Sequence, residues 1–333
     1  MTRPRPRPLP RTSPRVGLGT DPRTGTPAAT RTDPAPIRPD AAALPAERGA
    51  APVLRLVPFV FAEAFGRPPA GVWSAPYVLR LSGSRSGPGA AVPLSWRVVI
   101  AAAPRADGVV RVGSINRPHE STEIDPAVGV GPLPEWARPV FAGTTGAGGL
   151  DLLVHTDLPD NTGLSASIPL TCVAALAETA FHDPAAGTGP RARIRLADPP
   201  LGAVALFGRP GHITLIEDDA GAVEHVPFDP ERLGLRFVLT VPRWADGRAD
   251  EDAPPAGADP DRTAAASPAC RAALASGAIE AHPLGAGGPS IAVVPGAALA
   301  AVRRALVDTY TRAGEPAPRV LSASVGSPCT RVA

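Results

Sequence analysis

Residues 155–170 read His155-Thr156-Asp157-Leu158-Pro159-Asp160-Asn161-Thr162-Gly163-Leu164-Ser165-Ala166-Ser167-Ile168-Pro169-Leu170. An apolar run at 150–154 leads into this polar turn, small and hydroxylated residues follow, and a second apolar stretch fills 170–177. The pattern predicts a strand, a small-residue loop and the start of a helix. Such a loop leaves room for a phosphate chain against backbone N–H groups, with the positive end of the helix dipole facing it. On that reading Gly163, Leu164, Ser165, Ala166 and Ser167 form the phosphate cradle, and the hydroxyls of Ser165 and Ser167 reach phosphate oxygens or Mg2+. A strand–turn–helix with a serine cap and no ligand accounts for the same residues.

Working outward, residues 91–103 carry Val92, Leu94, Trp96, Val98 and Ile100 at period two, which predicts a strand. Residues 109–114 read as its hairpin partner, with the turn at Asp107-Gly108. A first helix is expected over 54–64. Further strands are expected at Val72, 77–81, 150–155, 193–196, 212–217, 235–241, 279–281 and 291–294. Helices are expected over 170–181, 269–276 and 297–312. In the last of these Leu299, Val302, Leu306 and Tyr310 share one face. Trp73 and Trp96 are expected in the core, His212 within a strand, and Asp151 and Asp157 as turn caps. The polar stretch 246–263 reads as a mobile loop. Residues 1–50, rich in Arg, Pro, Thr and Ala, read as a disordered tail.

Composition narrows the function classes. A formal net charge of +2 over 333 residues gives no strong field to recruit nucleic acid or an anionic membrane. All 33 basic residues are Arg, so no lysine serves a phosphate in the P-loop manner. Cys172, Cys270 and Cys329 match no zinc spacing and no disulfide framework, which suits small buried hydrophobes in a reducing, cytoplasmic compartment. The six histidines show no metal-ligand spacing. No apolar run approaches the roughly 20 residues that span a bilayer. The expectation is a monomer whose partner is a small molecule.

The loop resembles the phosphate-binding motif of the GHMP small-molecule kinases, which galactokinases write roughly as S-D-V-P-x-G-A-G-L-S-S-S-A-A-L. Asp157, Pro159, Gly163, Leu164, Ser165, Ser167 and Leu170 fit it. Phe65-Gly66-Arg67-Pro68-Pro69-Ala70-Gly71-Val72-Trp73-Ser74-Ala75-Pro76 is similar to the N-terminal segment of that family. Gly285-Ala286-Gly287-Gly288-Pro289-Ser290 resembles its late glycine-rich motif, and 300–331, with Pro318-Arg319-Val320-Leu321, its last helix and strand. The resemblance implies an α+β, two-part fold: a tail at 1–50, an N-terminal mixed-sheet part over 51–190 that carries the phosphate loop, and a ferredoxin-like part over 191–333. It also implies ATP and Mg2+ as ligands, phosphoryl transfer to galactose or a related small sugar, and packing of 285–288 beside the phosphates.

Several positions depart from the family pattern. Asn161 and Thr162 replace glycine or alanine, Ala166 lacks a hydroxyl, and Pro169 forces a helix beginning near Ser165 to shift its start. Family residues that grip the sugar correspond to Ser84, Arg85 and Gly87, and the family arginine corresponds to Val78. Arg80, two residues on and on the same strand face, is the candidate replacement for substrate binding. The best match to the helix bearing the catalytic aspartate, Leu201-Gly202-Ala203-Val204-Ala205-Leu206, puts Ala205 at its position, and Asp198 lies outside that helix. No catalytic residue is named. Two function classes follow: a kinase for a sugar or other small alcohol, and a retired kinase that binds nucleotide or another ligand without turnover. A third alternative is a relic with only a structural role or none.

Overall fold

The computed structural model describes residues 52–83, 89–125, 132–144, 148–182, 199–216, 223–243, 267–284 and 288–333, all within one contact unit, Ala42–Ala333. The expected tail, the strand at 193–196, the loop at 246–263, and the positions Ser84, Arg85, Gly87 and Asp198 lie outside the described residues.

The period-two run falls in a long strand, β2 (Gly89–Arg105), flanked by β1 (Gly71–Gly83) and β5 (Gly149–Thr156). Val92, Leu94, Val98, Ile100 and Ala102 enter one core, while Val99, Ala101 and Ala103 enter a second core on the opposite face. That second core is closed by helix α1 (Pro52–Phe65), whose Val57 and Phe61, four residues apart, are fully buried. Burial of two such side chains is worth about 1.5–3 kcal/mol each.

The eight-stranded sheet runs β12–β1–β2–β5–β3–β4, with β6 on β2 and β7 on β6; here β3 is Val110–Ser114, β4 Thr122–Ile124, β6 His212–Ile216, β7 Val223–Pro227 and β12 Thr330–Arg331. The expected hairpin of β2 with 109–114 does not form. Its turn is present, with the Val109 N–H donating to Asp107 Oδ1 at 3.1 Å. But β5 inserts between the two strands, antiparallel to β2 and parallel to β3. The reason is burial: β5 puts Leu150, Leu152 and Val154 into one core and Leu153 into the other, and only an interior strand covers both faces. Asp151 is also corrected by this placement. Rather than capping a turn, it sits inside β5, 3% exposed, with one carboxylate oxygen 2.6 Å from the Arg67 guanidinium and the other 2.9 Å from that of Arg105. Asp157 does bridge chain segments: it accepts from the Arg97 N–H at 2.7 Å. Trp73 is 3% exposed and meets Phe181 edge-on at 5.4 Å, and Trp96 packs half-buried on the same core.

Over the main core lie α3 (Ser167–His182) and a second, four-stranded antiparallel sheet, while α4 (Pro199–Phe207) packs in a separate apolar cluster with Val78, Ala91 and Cys172. That sheet is built in the order β8 (Leu235–Val241), α5 (Pro268–Ala275), β9 (Glu280–Pro283), β10 (Ser290–Pro295), α6 (Leu299–Arg312) and β11 (Arg319–Ala323). Its spatial order is β11–β8–β10–β9. This is the βαββαβ ferredoxin-like arrangement expected from the resemblance. Its inner face gives Phe237, Leu239, Val241 and Ile291 to the main core, and its outer face is covered by α5 and α6. The stripe read from the sequence does that covering: Val302, Leu306 and Tyr310 are buried and Leu299 packs beside them. A short helix, α2 (Arg138–Ala142), and the strands β4, β7 and β12 have no periodic signal in the sequence. Beyond residue 190 the chain first rejoins the larger sheet through β6 and β7, and its last strand, β12, pairs with β1.

All three cysteines are free thiols; Cys172 and Cys270 are buried. Burial is the main reason that the Cys270 and Cys329 thiols titrate above their ordinary range. Among the described residues no helix is long and apolar enough to cross a membrane.

Candidate functional site

The loop after β5 delivers what its residue types require. A single 3-10 turn, Asp160–Thr162, is closed by Gly163 in the left-handed region at φ 73°. A β-carbon there would lie 2.1 Å from the Leu284 carbonyl oxygen and 2.6 Å from its Cβ. Glycine is therefore required twice, for its dihedral angle and for close approach. Leu284 directly precedes the late glycine-rich stretch in the sequence, of which residues 285–287 lie outside the described set.

Helix α3 begins at Ser167, two residues later than a start at Ser165, which is the shift that Pro169 demands. Pro169 then stands third in the helix, where no intrahelical N–H bond is lost. The Ser165 hydroxyl accepts the Ser167 N–H at 3.2 Å, and the Leu170 N–H reaches the Ala166 carbonyl at 3.0 Å. Among the described residues the amides of Ala166 and Ile168 donate to nothing. The helix start thus offers backbone donors at its positive end, and the Ser165 hydroxyl proton stays available to an acceptor.

These residues form one wall of a cleft of about 590 Å3. Leu164, Ser165, Ala166, Ser167 and Leu170 line it from the loop and α3, Val154 and Thr156 from β5, and Ser114 and Asn116 from the end of β3. Across the cleft stand Trp136 and Pro139. The Trp136 indole N–H donates to Glu120 at 2.8 Å, which fixes the ring. Asn116 locks the end of β5: its amide donates to the Thr156 carbonyl at 2.9 Å and accepts the Thr156 N–H at 2.8 Å. Arg117 bridges Glu120 and Asp160, tying the Trp136 brace to the loop after β5. The cleft thus combines an aromatic ring and apolar side chains with helix-start amides and hydroxyls, and the carboxylates of Glu135 and Asp160 line it as well.

Gly163 is placed against Leu284, and Leu164 through Ser167 line the cleft. Arg80 is in β1 opposite Ala91, and it is not among the residues lining the cleft. Among the described residues no group of three or more His, Cys, Asp and Glu side chains is arranged to hold a metal. Sequence reading misses Trp136, Asn116 and the Arg117 bridge. The one signal for Trp136 is an aromatic residue set among the prolines at 132, 134 and 139, which lacks the periodicity of a core element.

Tyr77 also lines the cleft. Burial, and then the nearby carboxylates of Asp157 and Asp160, push its phenol well above the ordinary tyrosine range. Burial, then Glu315, pushes Tyr310 up to about 12. These are the only two tyrosines in the chain. In the folded protein both phenols stay neutral past the value of 10.0 at which an unfolded tyrosine ionises. Their stabilising contribution is complete below pH 10 and declines as pH rises from there toward 12. An alkaline absorbance titration is expected to show no tyrosinate in the native protein at pH 10.5 and both after unfolding in denaturant. A native tyrosinate signal at that pH contradicts the burial of the ring it comes from.

No family model matches the sequence, and no curated protein matches it. The fold, by contrast, is that of the GHMP kinases. The galactokinase of Lactococcus lactis, solved with galactose, aligns with a TM-score of 0.64 at 17% identity, over 84% of this chain and 99% of that one. The homoserine kinase of Cytophaga hutchinsonii aligns with a TM-score of 0.51 at 14% identity, over 79% of this chain and 97% of that one. The two are named for different phosphoryl acceptors, so the shared architecture leaves the acceptor open.

Proposed function

We propose that this chain binds a nucleoside triphosphate in the cleft and does not phosphorylate galactose. The nucleotide half of the reading rests on the cleft: Trp136 and the Val154–Leu170 side flank the base, and the amides and hydroxyls at the start of α3 meet the phosphates. When bound, the nucleotide supplies an activated phosphoryl group. The residues of this chain contribute placement and partial positive charge.

The other half rests on one observation. By the resemblance Val78 corresponds to the family arginine and Ala205 is the best match to the family aspartate; the two belong to a single apolar cluster with Cys172, Ala175 and Val204. Val78 is 9% exposed and Ala205 0%. A sugar kinase needs a guanidinium to offset charge on the transferred group and a carboxylate to take the hydroxyl proton. Here those places are filled by apolar side chains packed on one another. Loss of a positioned base alone typically costs about 10²–10⁴ in rate, and loss of a positioned charge about 10²–10³ more.

Calorimetric titration with Mg2+–ATP is expected to show saturable binding, weakened about tenfold by Trp136→Ala. A coupled assay is expected to show no galactose-dependent release of ADP. Absence of binding at millimolar nucleotide sinks the first half of the proposal; galactose-dependent turnover sinks the second.

A further inference from the structure

The phosphate loop has a second side. Pro159 and Asn161, which line the nucleotide cleft, also line a separate cavity of about 390 Å3 whose other walls are Val241, Pro242, Arg243 and Arg319. The ferredoxin-like sheet brings these together. Arg319 opens β11 directly opposite Val241, the last residue of β8. Directly opposed residues of an antiparallel pair share a face, and Val241 is 1% exposed with its side chain in the main core. Arg319 is thus carried on the sheet face that meets the larger sheet. Arg243, two residues past Val241, reaches the same cavity.

Among the described residues neither arginine makes an ion pair or hydrogen bond, and no acidic side chain lines the cavity. This contrasts with Arg67, Arg105, Arg111 and Arg117, each of which is matched with a carboxylate. Two guanidiniums lining one hollow repel each other, and among the described residues no carboxylate offsets that repulsion. An anion with several acceptor oxygens does offset it, because the planar guanidinium fork donates paired hydrogen bonds to phosphate. Asn161 adds an amide at the same hollow.

We infer that Arg243 and Arg319 form an anion site for a phosphate group, on the side of residues 159–161 away from the base-binding slot. The phosphate has two chemical sources. It is the distal end of a nucleotide lying in the cleft, or it belongs to a second, phosphorylated small molecule held beside it. The site itself does not depend on the nucleotide reading; only the first source does.

The test uses the full chain with pyrophosphate, AMP and Mg2+–ATP as probes, and the double variant Arg243→Gln/Arg319→Gln. Both arginines are exposed, so the variant is expected to keep the parent's melting temperature. Pyrophosphate affinity is expected to fall roughly 10- to 100-fold, the size of losing charged hydrogen bonds, while AMP affinity is unchanged. If ATP affinity falls by a similar factor and pyrophosphate competes with ATP, the phosphate is the nucleotide's own. If ATP affinity holds and pyrophosphate binds the ATP-saturated protein, the phosphate is a second molecule's. Equal pyrophosphate affinity in parent and variant overturns the site, as does no pyrophosphate binding by the parent at millimolar concentration. Failure of the nucleotide reading is separately visible, as AMP affinity that is absent or indifferent to Trp136→Ala.

Discussion

Gly163→Ala is expected to lower stability by about 3 kcal/mol and to reduce nucleotide affinity at least about a hundredfold. Two costs combine. At φ 73° a residue with a β-carbon is strained by about 1 kcal/mol. The added methyl would also sit 2.1 Å from the Leu284 carbonyl oxygen, which belongs to the main chain and has no rotamer to change. The only relief is to separate the phosphate loop from the strand end at Leu284, and that moves the first turn of α3 relative to Val154 and Thr156. Gly211→Ala is the control. Its φ is 70°, but the nearest atom to a new β-carbon is 4.0 Å away, so it bears the dihedral strain alone. Melting curves and calorimetric titration of both variants decide the matter. If Gly163→Ala and Gly211→Ala lose equal stability, the close approach to Leu284 carries no weight.

The second large effect is expected at Asp151. Its carboxylate lies inside β5 and is shared by Arg67 and Arg105 at 2.6 and 2.9 Å. Asp151→Ala removes the central charge and leaves the inner guanidinium, that of Arg105, only 19% exposed and dependent on Asp107 alone. Breaking a buried pair from the side of its shared partner costs about 3–5 kcal/mol when both ions are fully buried. The side chain of Arg67 is 39% exposed and recovers water, so the expectation here is about 2–3 kcal/mol. Arg67→Ala should cost no more than about 1 kcal/mol by the same reasoning. The readout is the urea midpoint at constant m-value. A change below about 0.5 kcal/mol for Asp151→Ala would show that water already screens the bridge.

The proposed function has an energetic corollary at the apolar cluster around Ala205. Removing a catalytic carboxylate from a polar pocket leaves its former partners unsatisfied, a cost of about 1–3 kcal/mol for each buried group. On the proposed reading the places of both partners are apolar, Val78 and Ala205, which share a cluster with Cys172 and Val204. Two such replacements would be compatible with each other, whereas either one alone would strand a charge.

Much of this was legible in the sequence because it is written in local pattern. The strand–loop–helix around Gly163, the alternation from Val92 to Ile100, and the stripe Leu299, Val302, Leu306 and Tyr310 each depend on residues a few positions apart. Their periods of 2 and 3.6 follow from backbone geometry before any tertiary contact exists. Even the later start of α3 follows from a single proline at 169, because a missing N–H is tolerated only in the first turn. What only the tertiary structure decided are meetings between distant segments. The insertion of β5 between β2 and β3 turned an expected hairpin into a parallel pair, and it turned Asp151 from a turn cap into a buried counter-ion. Trp136 shares a cleft with the start of α3, and the residues lining that cleft are drawn from segments spread between Tyr77 and Leu170. Val78 finds Ala205, and Arg243 finds Arg319, each pair more than 70 residues apart in the chain. No local period encodes such pairs. They are selected by which arrangement buries both faces of the central strands and the inner face of the smaller sheet together, a condition that involves the chain as a whole.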